Sequence, residues 1–219
     1  EMSASLVGSE MCIRDRYVTK VPEHQVGQAA VNEIRRFGVD TSSVLRGGGR
    51  VGIYYFEKGT NIRPTSVVYD RAYSAIAMAK AEEFDWEKLL DGVDLFYFSG
   101  ITPAISTEIE KALENALALC REKKIQVVCD LNYRGKMWST KDAQRVMRRL
   151  MAYVDVCIAN DEDFESSLGI PAYDGDMSRG IEQIESYKEG MLEIQKQFPN
   201  CKAVASVLRN LCLLYTSPS

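Results

Sequence analysis

A chain of 219 residues with 46% hydrophobic content is long enough to bury a sizeable core, and its net charge of −4, with signs interspersed, excludes a basic footprint for nucleic acid or an anionic membrane. No apolar run approaches the roughly 20 residues of a membrane span, and the start shows no basic and apolar leader pattern. Six cysteines without a CxxC pair and the single histidine His24 argue against a disulfide framework, a zinc cluster or a Ser/His/Asp triad, so a reduced, cytoplasmic setting is expected.

In chain order, Val26, Ala30, Ile34 and Phe37 recur at helical spacing and predict a helix over 25–37 with those residues on its apolar face, ended by Gly38. Gly47, Gly48 and Gly49 precede a strand at 51–56, whereas phosphate cradles open helices, so this is no phosphate loop. The runs 51–56 and 65–71 are rich in β-branched and aromatic residues, and Gly59, Asn61 and Pro64 between them have turn composition. They predict an antiparallel ribbon. Two strands alone are marginal in water, so the ribbon serves either as a lid over a site or as a pairing surface for another subunit.

Beyond the ribbon the period changes. A strand is predicted at 95–98, then a helix marked by Ile109, Leu113, Ala116, Leu117 and Cys120 and capped by Ser106. A strand follows at 125–129, and a helix at 139–150 with Asp142 three residues after Ser139. The remainder reads as a strand at 154–158, a short helix at 161–168, a longer helix within 177–198 and a strand at 203–207. Strands alternating with helices in units of about 30 residues imply parallel βαβ crossovers and a doubly wound α/β sandwich. Cys129 and Cys157 sit inside apolar runs as small hydrophobes.

In open parallel sheets ligands gather beyond the carboxyl ends of the strands, here at 99–104, 130–134 and 159–163. Asp130, Asn132 and Arg134 alternate, so on extended backbone they would share one side. Arg134 suits a carboxylate or phosphate through its planar fork; an ordinary salt-bridged loop is the bland alternative. Asn160 and Asp163 stand one turn apart at a helix start, where they would either reach a hydrated magnesium ion or simply cap the helix. Tyr54, Tyr55, Tyr69 and Arg71 on the ribbon would face a sugar or pair across the strands.

Asp130-Leu-Asn-Tyr-Arg134 with Met137 and Trp138, Ser99-Gly-Ile-Thr-Pro-Ala104 and Val68-Tyr-Asp-Arg71 together resemble the ribokinase-like (PfkB-type) sugar kinases, over about 17–210. The set is most similar to members acting on 2-keto-3-deoxygluconate. The resemblance implies a ribokinase-like, mostly parallel sheet sandwich with a small β-ribbon lid at about 50–72, truncated at both ends. It implies phosphoryl transfer from ATP, with Mg2+, to a sugar-acid hydroxyl; related kinases of fructose, ribose or 5-keto-2-deoxygluconate are the alternatives. Substrate contacts implied are Tyr54, Tyr69, Arg71, the backbone of Ile101, and Arg134 for the carboxylate. Asn132 and Asn160 would lie near the ATP phosphates and Asp163 at the metal, although Asp163 stands where many members have Glu. The Gly-Ala-Gly-Asp stretch that carries the family's catalytic aspartate does not occur in this sequence. A non-catalytic fragment that binds weakly or self-associates through the ribbon is the reading from another class. A dinucleotide-binding domain is disfavoured, because no GxGxxG follows a predicted strand.

The two ends fit neither helix nor strand. Gly8 to Arg14 can be encoded GGC TCG GAG ATG TGT ATA AGA, followed by GAC AG. The reverse complement of that DNA, read after its first base, encodes Cys212 to Ser219. Residues 1–16 and 211–219 are therefore expected to be translated sequencing adaptor and are set aside from fold reasoning.

Overall fold

The computed structural model describes residues 14–60, 64, 66–160, 163–171 and 184–206. The chain divides into two compact units, the first ending at Met78 and the second beginning at Ala79. Most of the two end segments lies outside the described residues. Of them, 14–16 are described, and Arg16 forms a bridge with Asp40, its guanidinium 3.4 Å from that carboxylate.

In the first unit, β1 (Lys20–Val21) pairs in parallel with β2 (Leu45–Arg46), and α1 (Gln25–Arg35) lies between them in sequence. Val21, Val31 and Val44 form a small core joined by Tyr17. The helix is where it was expected, but its buried face is not. Val26 is 62% exposed and Phe37 49%, while Gly27 and Val31 are buried. The reason is the close approach at Gly27, where a Cβ would stand 2.1 Å from the Pro22 carbonyl oxygen. That contact turns the 27/31 side inward, with Ala30 and Ile34 at its margin. Gly38 ends the helix at φ +80°.

The ribbon is antiparallel as predicted: β3 (Ile53–Glu57) pairs with β4 (Ser66–Asp70), setting Tyr54 opposite Tyr69 and Tyr55 opposite Val68. Arg50 fastens its base, pairing with the Asp70 carboxylate and donating to the Asp70 and Ala72 carbonyls. Every residue of β3 is exposed.

In the second unit α2 (Trp86–Leu89), which hydrophobic spacing did not reveal, is capped by the Asp85 carboxylate on the Lys88 N–H. The expected alternation follows as β5 (Leu95–Ser99), α3 (Thr107–Lys123), β6 (Gln126–Asp130), α4 (Thr140–Leu150), β7 (Val156–Ala159), α5 (Asp163–Leu168), α6 (Ile184–Gln197) and β8 (Ala203–Ser206). Ser106 and Ser139 cap α3 and α4 by accepting from the Ile109 and Asp142 N–H groups. Parts of the predicted fifth and sixth helices, and Val207 of the last strand, lie outside the described residues. The strands pair in parallel in the order β5-β6-β7-β8. The architecture is thus α/β with a mostly parallel sheet.

Burial alternates strictly across this sheet. Phe98, Val127, Cys129, Cys157 and Ala159 face the helices and are buried. Their neighbours point the other way, where Leu95 is 49% and Tyr97 53% exposed. Burial pushes the Cys120 thiol up to about 11 and the Cys129 thiol well above its ordinary value. These cysteines are packing groups, not nucleophiles.

Candidate functional site

The carboxyl ends of β5, β6 and β7 are drawn together by backbone bonds. Gly100 N–H donates to the Asp130 carbonyl at 2.7 Å and Leu131 N–H to that of Ile158 at 2.9 Å. A Cβ on Gly100 would lie 2.0 Å from the Leu131 carbonyl oxygen, so only glycine lets the first loop cross the second this closely. One side chain then joins the two loops: Ser99 Oγ accepts from Asn132 Nδ2 at 3.1 Å and from the Ile101 N–H at 3.3 Å. A second side chain joins the next pair. Asp163, only 3% exposed, accepts the Tyr133 N–H at 2.6 Å on one oxygen and the Asn160 N–H at 2.8 Å on the other. The Asp163 N–H donates back to the Asn160 carbonyl at 3.2 Å. The Asp163 carboxylate on the Asn160 N–H is one half of a helix-capping box.

The expected alternation of Asp130, Asn132 and Arg134 on one side does not hold. The strand ends at Asp130, and Asn132 takes φ +38°, a left-handed conformation that asparagine tolerates better than most residues. Asn132 therefore turns to Ser99, while Arg134 is exposed, one of its guanidinium nitrogens donating to the Tyr133 carbonyl at 2.8 Å. Most of its fork remains available for an anion.

Asp130 sits differently from the others. Its Oδ1 is buried with no hydrogen-bond partner among the described residues, and Tyr97 donates its hydroxyl to Oδ2 at 3.4 Å. Burial, then the Asp163 charge, hold the Asp130 carboxyl above its ordinary 3.8. Burial and the Asp130 charge push the Tyr97 phenol up to about 12. A raised carboxylate means the folded chain binds more protons than the unfolded one, so this residue's penalty grows as pH rises from 3.8 through the folded value and is complete above it. Asp130→Asn is expected to raise the thermal midpoint at neutral pH and to give no gain at a pH below 3.8; equal gains at both would show that ionisation is not the cause.

In the first unit, the Tyr54 and Tyr69 rings lie 6.3 Å apart and tilted by 50°, and the Arg71 guanidinium stacks 4.2 Å over the Tyr69 ring. The cross-strand pair and the cation–π stack both fix these side chains on the ribbon. The predicted residues thus fall in two groups: Tyr54, Tyr69 and Arg71 in the first unit, and Ile101, Asn132, Arg134, Asn160 and Asp163 in the second.

Among the described residues, no group of three His, Cys, Asp or Glu side chains is placed to hold a metal ion. Each Asp163 oxygen accepts one backbone N–H and keeps a second lone pair. The bond from the Asn160 N–H to Asp163 is compatible with the cap that the residue pattern alone also allowed. Ser99 and Gly100 carry the loop crossing; the sequence placed both in a strand-end loop but did not show this contact. The signal was present in Ser-Gly directly after a strand, but the partner loop is some thirty residues away.

Comparison with known proteins gives a consistent result. Residues 4–198 match the family model described as pfkB family carbohydrate kinase. A 2-dehydro-3-deoxygalactonokinase of Haloferax volcanii is 32% identical over 176 residues, 80% of this chain and 54% of that protein. A 2-dehydro-3-deoxygluconokinase of Escherichia coli K12 is 28% identical over 159 residues, 70% of this chain and 51% of that protein. The crystal structure of 2-dehydro-3-deoxygluconokinase from Thermotoga maritima superposes with a TM-score of 0.82 at 46% identity, covering 90% of this chain and 59% of that one. The chain spans about half the length of the curated relatives it matches. With most of its length matched by the family model, the chain belongs to the pfkB family of carbohydrate kinases.

Proposed function

We propose that this chain is part of a kinase that transfers the γ-phosphoryl group of ATP to a hydroxyl of 2-keto-3-deoxygluconate, also called 2-dehydro-3-deoxygluconate. The observation that carries the reading is the strand-end arrangement, in which Ser99, Asn132, Asn160 and Asp163 are fixed by mutual bonds while the Arg134 guanidinium is exposed. The 46% identity to the Thermotoga 2-dehydro-3-deoxygluconokinase supports the substrate. The epimer 2-keto-3-deoxygalactonate is the second substrate to assay, because the Haloferax relative is named for it.

In this reading Arg134 takes the substrate carboxylate, and Tyr54, Tyr69 and Arg71 bind the sugar acid. Ile101 contributes its carbonyl, since its N–H is already given to Ser99. Asn132 and Asn160 serve the nucleotide phosphates. Magnesium would arrive with ATP and neutralise phosphate charge, and Asp163, which holds Asn160 and Tyr133, would stand at the metal. The β3 face bearing exposed Tyr55, 60% accessible, is the proposed contact between copies of the chain. Among the described residues no helix is long and apolar enough to cross a membrane, and the proposed setting is the cytoplasm.

The test is a coupled ATP assay on the full-length kinase carrying this segment. Arg134→Ala is expected to raise the sugar-acid KM about tenfold or more, the scale of a lost charge-assisted bond, with the ATP KM little changed. An unchanged sugar-acid KM would remove the carboxylate role. The 219-residue chain, which has no Gly-Ala-Gly-Asp stretch, is expected to show no turnover, and measurable turnover would mean that another carboxylate is the base.

A further inference from the structure

We propose that Ser99 is a ligand-binding residue whose hydroxyl hydrogen donates to an oxygen of the bound ligand, a phosphoryl or a sugar-acid oxygen. The inference rests on the kinase reading above and extends it to a residue which that reading uses only as a link.

A serine hydroxyl has one hydrogen and two acceptor lone pairs. At Ser99 both acceptor positions are used. Asn132 Nδ2 donates at 3.1 Å and the Ile101 N–H at 3.3 Å. The hydrogen is therefore forced away from both donors. Among the described residues no acceptor receives it: Asp130, beside Ser99 in the sheet, takes the Tyr97 hydroxyl on Oδ2 while its buried Oδ1 has no partner, and Asp163 takes two backbone N–H groups. Ser99 is half-buried, the last residue of β5, and its carbonyl is closed off by the Thr102 N–H at 2.8 Å. Its free direction lies at the carboxyl edge of the parallel sheet, where ligands of such sheets bind.

The arrangement is also rigid. Gly100 locks the backbone immediately after Ser99 against Leu131, and Asn132 is held at φ +38°. A donor whose direction is set before binding loses little freedom on engaging an acceptor, and one aimed at an anionic oxygen makes a charge-assisted bond. The two donors converging on Oγ polarise the O–H and make it a better donor still.

The experiment compares Ser99→Ala and Ser99→Thr in the full-length kinase. Ser99→Ala is expected to raise the KM for one ligand about tenfold or more, and Ser99→Thr, which keeps the hydroxyl, to restore it to within about threefold. A rise for ATP assigns a phosphoryl oxygen; a rise for the sugar acid assigns a carboxylate or carbonyl oxygen. A Ser99 that acts only by holding Asn132 would raise the ATP KM no further than Asn132→Ala does, with no added rise in the double variant, and one that only supports the fold would lower the thermal midpoint and kcat without raising either KM; either result would overturn the proposal. Equal KM values for wild type, Ser99→Ala and Ser99→Thr would also overturn it while leaving the kinase reading intact. A wild type inactive on every sugar acid tried would overturn the kinase reading and this inference with it.

Discussion

Replacing Gly100 with alanine is expected to destabilise the second unit more than the same change at Gly92, Gly135 or Gly169. The added Cβ would stand 2.0 Å from the Leu131 carbonyl oxygen and 2.9 Å from its carbonyl carbon. Both are backbone atoms, so no rotamer change relieves the clash. Relief requires the β5 and β6 ends to part by more than an ångström, which breaks the 2.7 Å bond from Gly100 N–H to the Asp130 carbonyl. Overpacking of this kind costs up to about 3 kcal/mol, and the lost bond adds about 1 kcal/mol. Gly92→Ala is the control. Its Cβ meets nothing within 4 Å, and only its φ of +66° opposes a side chain, at about 1 kcal/mol. Urea unfolding of the two variants should separate them by about 3 kcal/mol. Equal midpoints would mean that the loop crossing is not fixed by the glycine.

That crossing marks the boundary of what the sequence discloses. The sheet strands, the ribbon and the serine caps of α3 and α4 are local: each depends on residues within a few positions, and the spacing of Leu113, Leu117 and Cys120 or the β-branched and aromatic run at 51–56 carries the signal. The α1 face was misjudged because Val26 and Phe37 look apolar to a periodicity argument, whereas Gly27 is turned inward by a backbone contact with Pro22. The short α2 has too few apolar positions to show a period and is defined by the cap at Asp85. The site divides the same way. Motifs named Asn132, Arg134, Asn160 and Asp163, since residue type alone limits their chemistry. Pairwise bonds then showed how they are held. Both Asp163 oxygens meet backbone donors, and Ser99 joins the group only because Asn132 turns left-handed toward it. Contacts between loops thirty residues apart have no periodic signature.

Asp163→Ala is expected to loosen two loops at once and to cost about 3–5 kcal/mol. Removing the carboxylate leaves the Tyr133 and Asn160 N–H groups without the acceptor that each now has, at 2.6 and 2.8 Å. Bonds to a charged acceptor contribute about 1.5–3 kcal/mol each, and Asp163 is too buried for water to replace it. Asp163→Asn keeps one acceptor and presents an NH2 group to the other N–H, so about half the loss is expected. One effect opposes these. The Asp163 charge helps to hold the Asp130 carboxyl high, so removing it relieves Asp130. Asp130 is only half-buried and its electrostatics are screened, so the relief is the smaller quantity and the lost bonds decide the sign. The relief remains visible elsewhere: the stabilisation that Asp130→Asn gives at neutral pH should shrink in an Asp163→Ala background. Amide hydrogen exchange at Tyr133 and Asn160 should accelerate together in Asp163→Ala, because one side chain closes both loops. Stability within about 1 kcal/mol of the parent, or acceleration at only one of the two amides, would show that Asp163 does not couple the ends of β6 and β7.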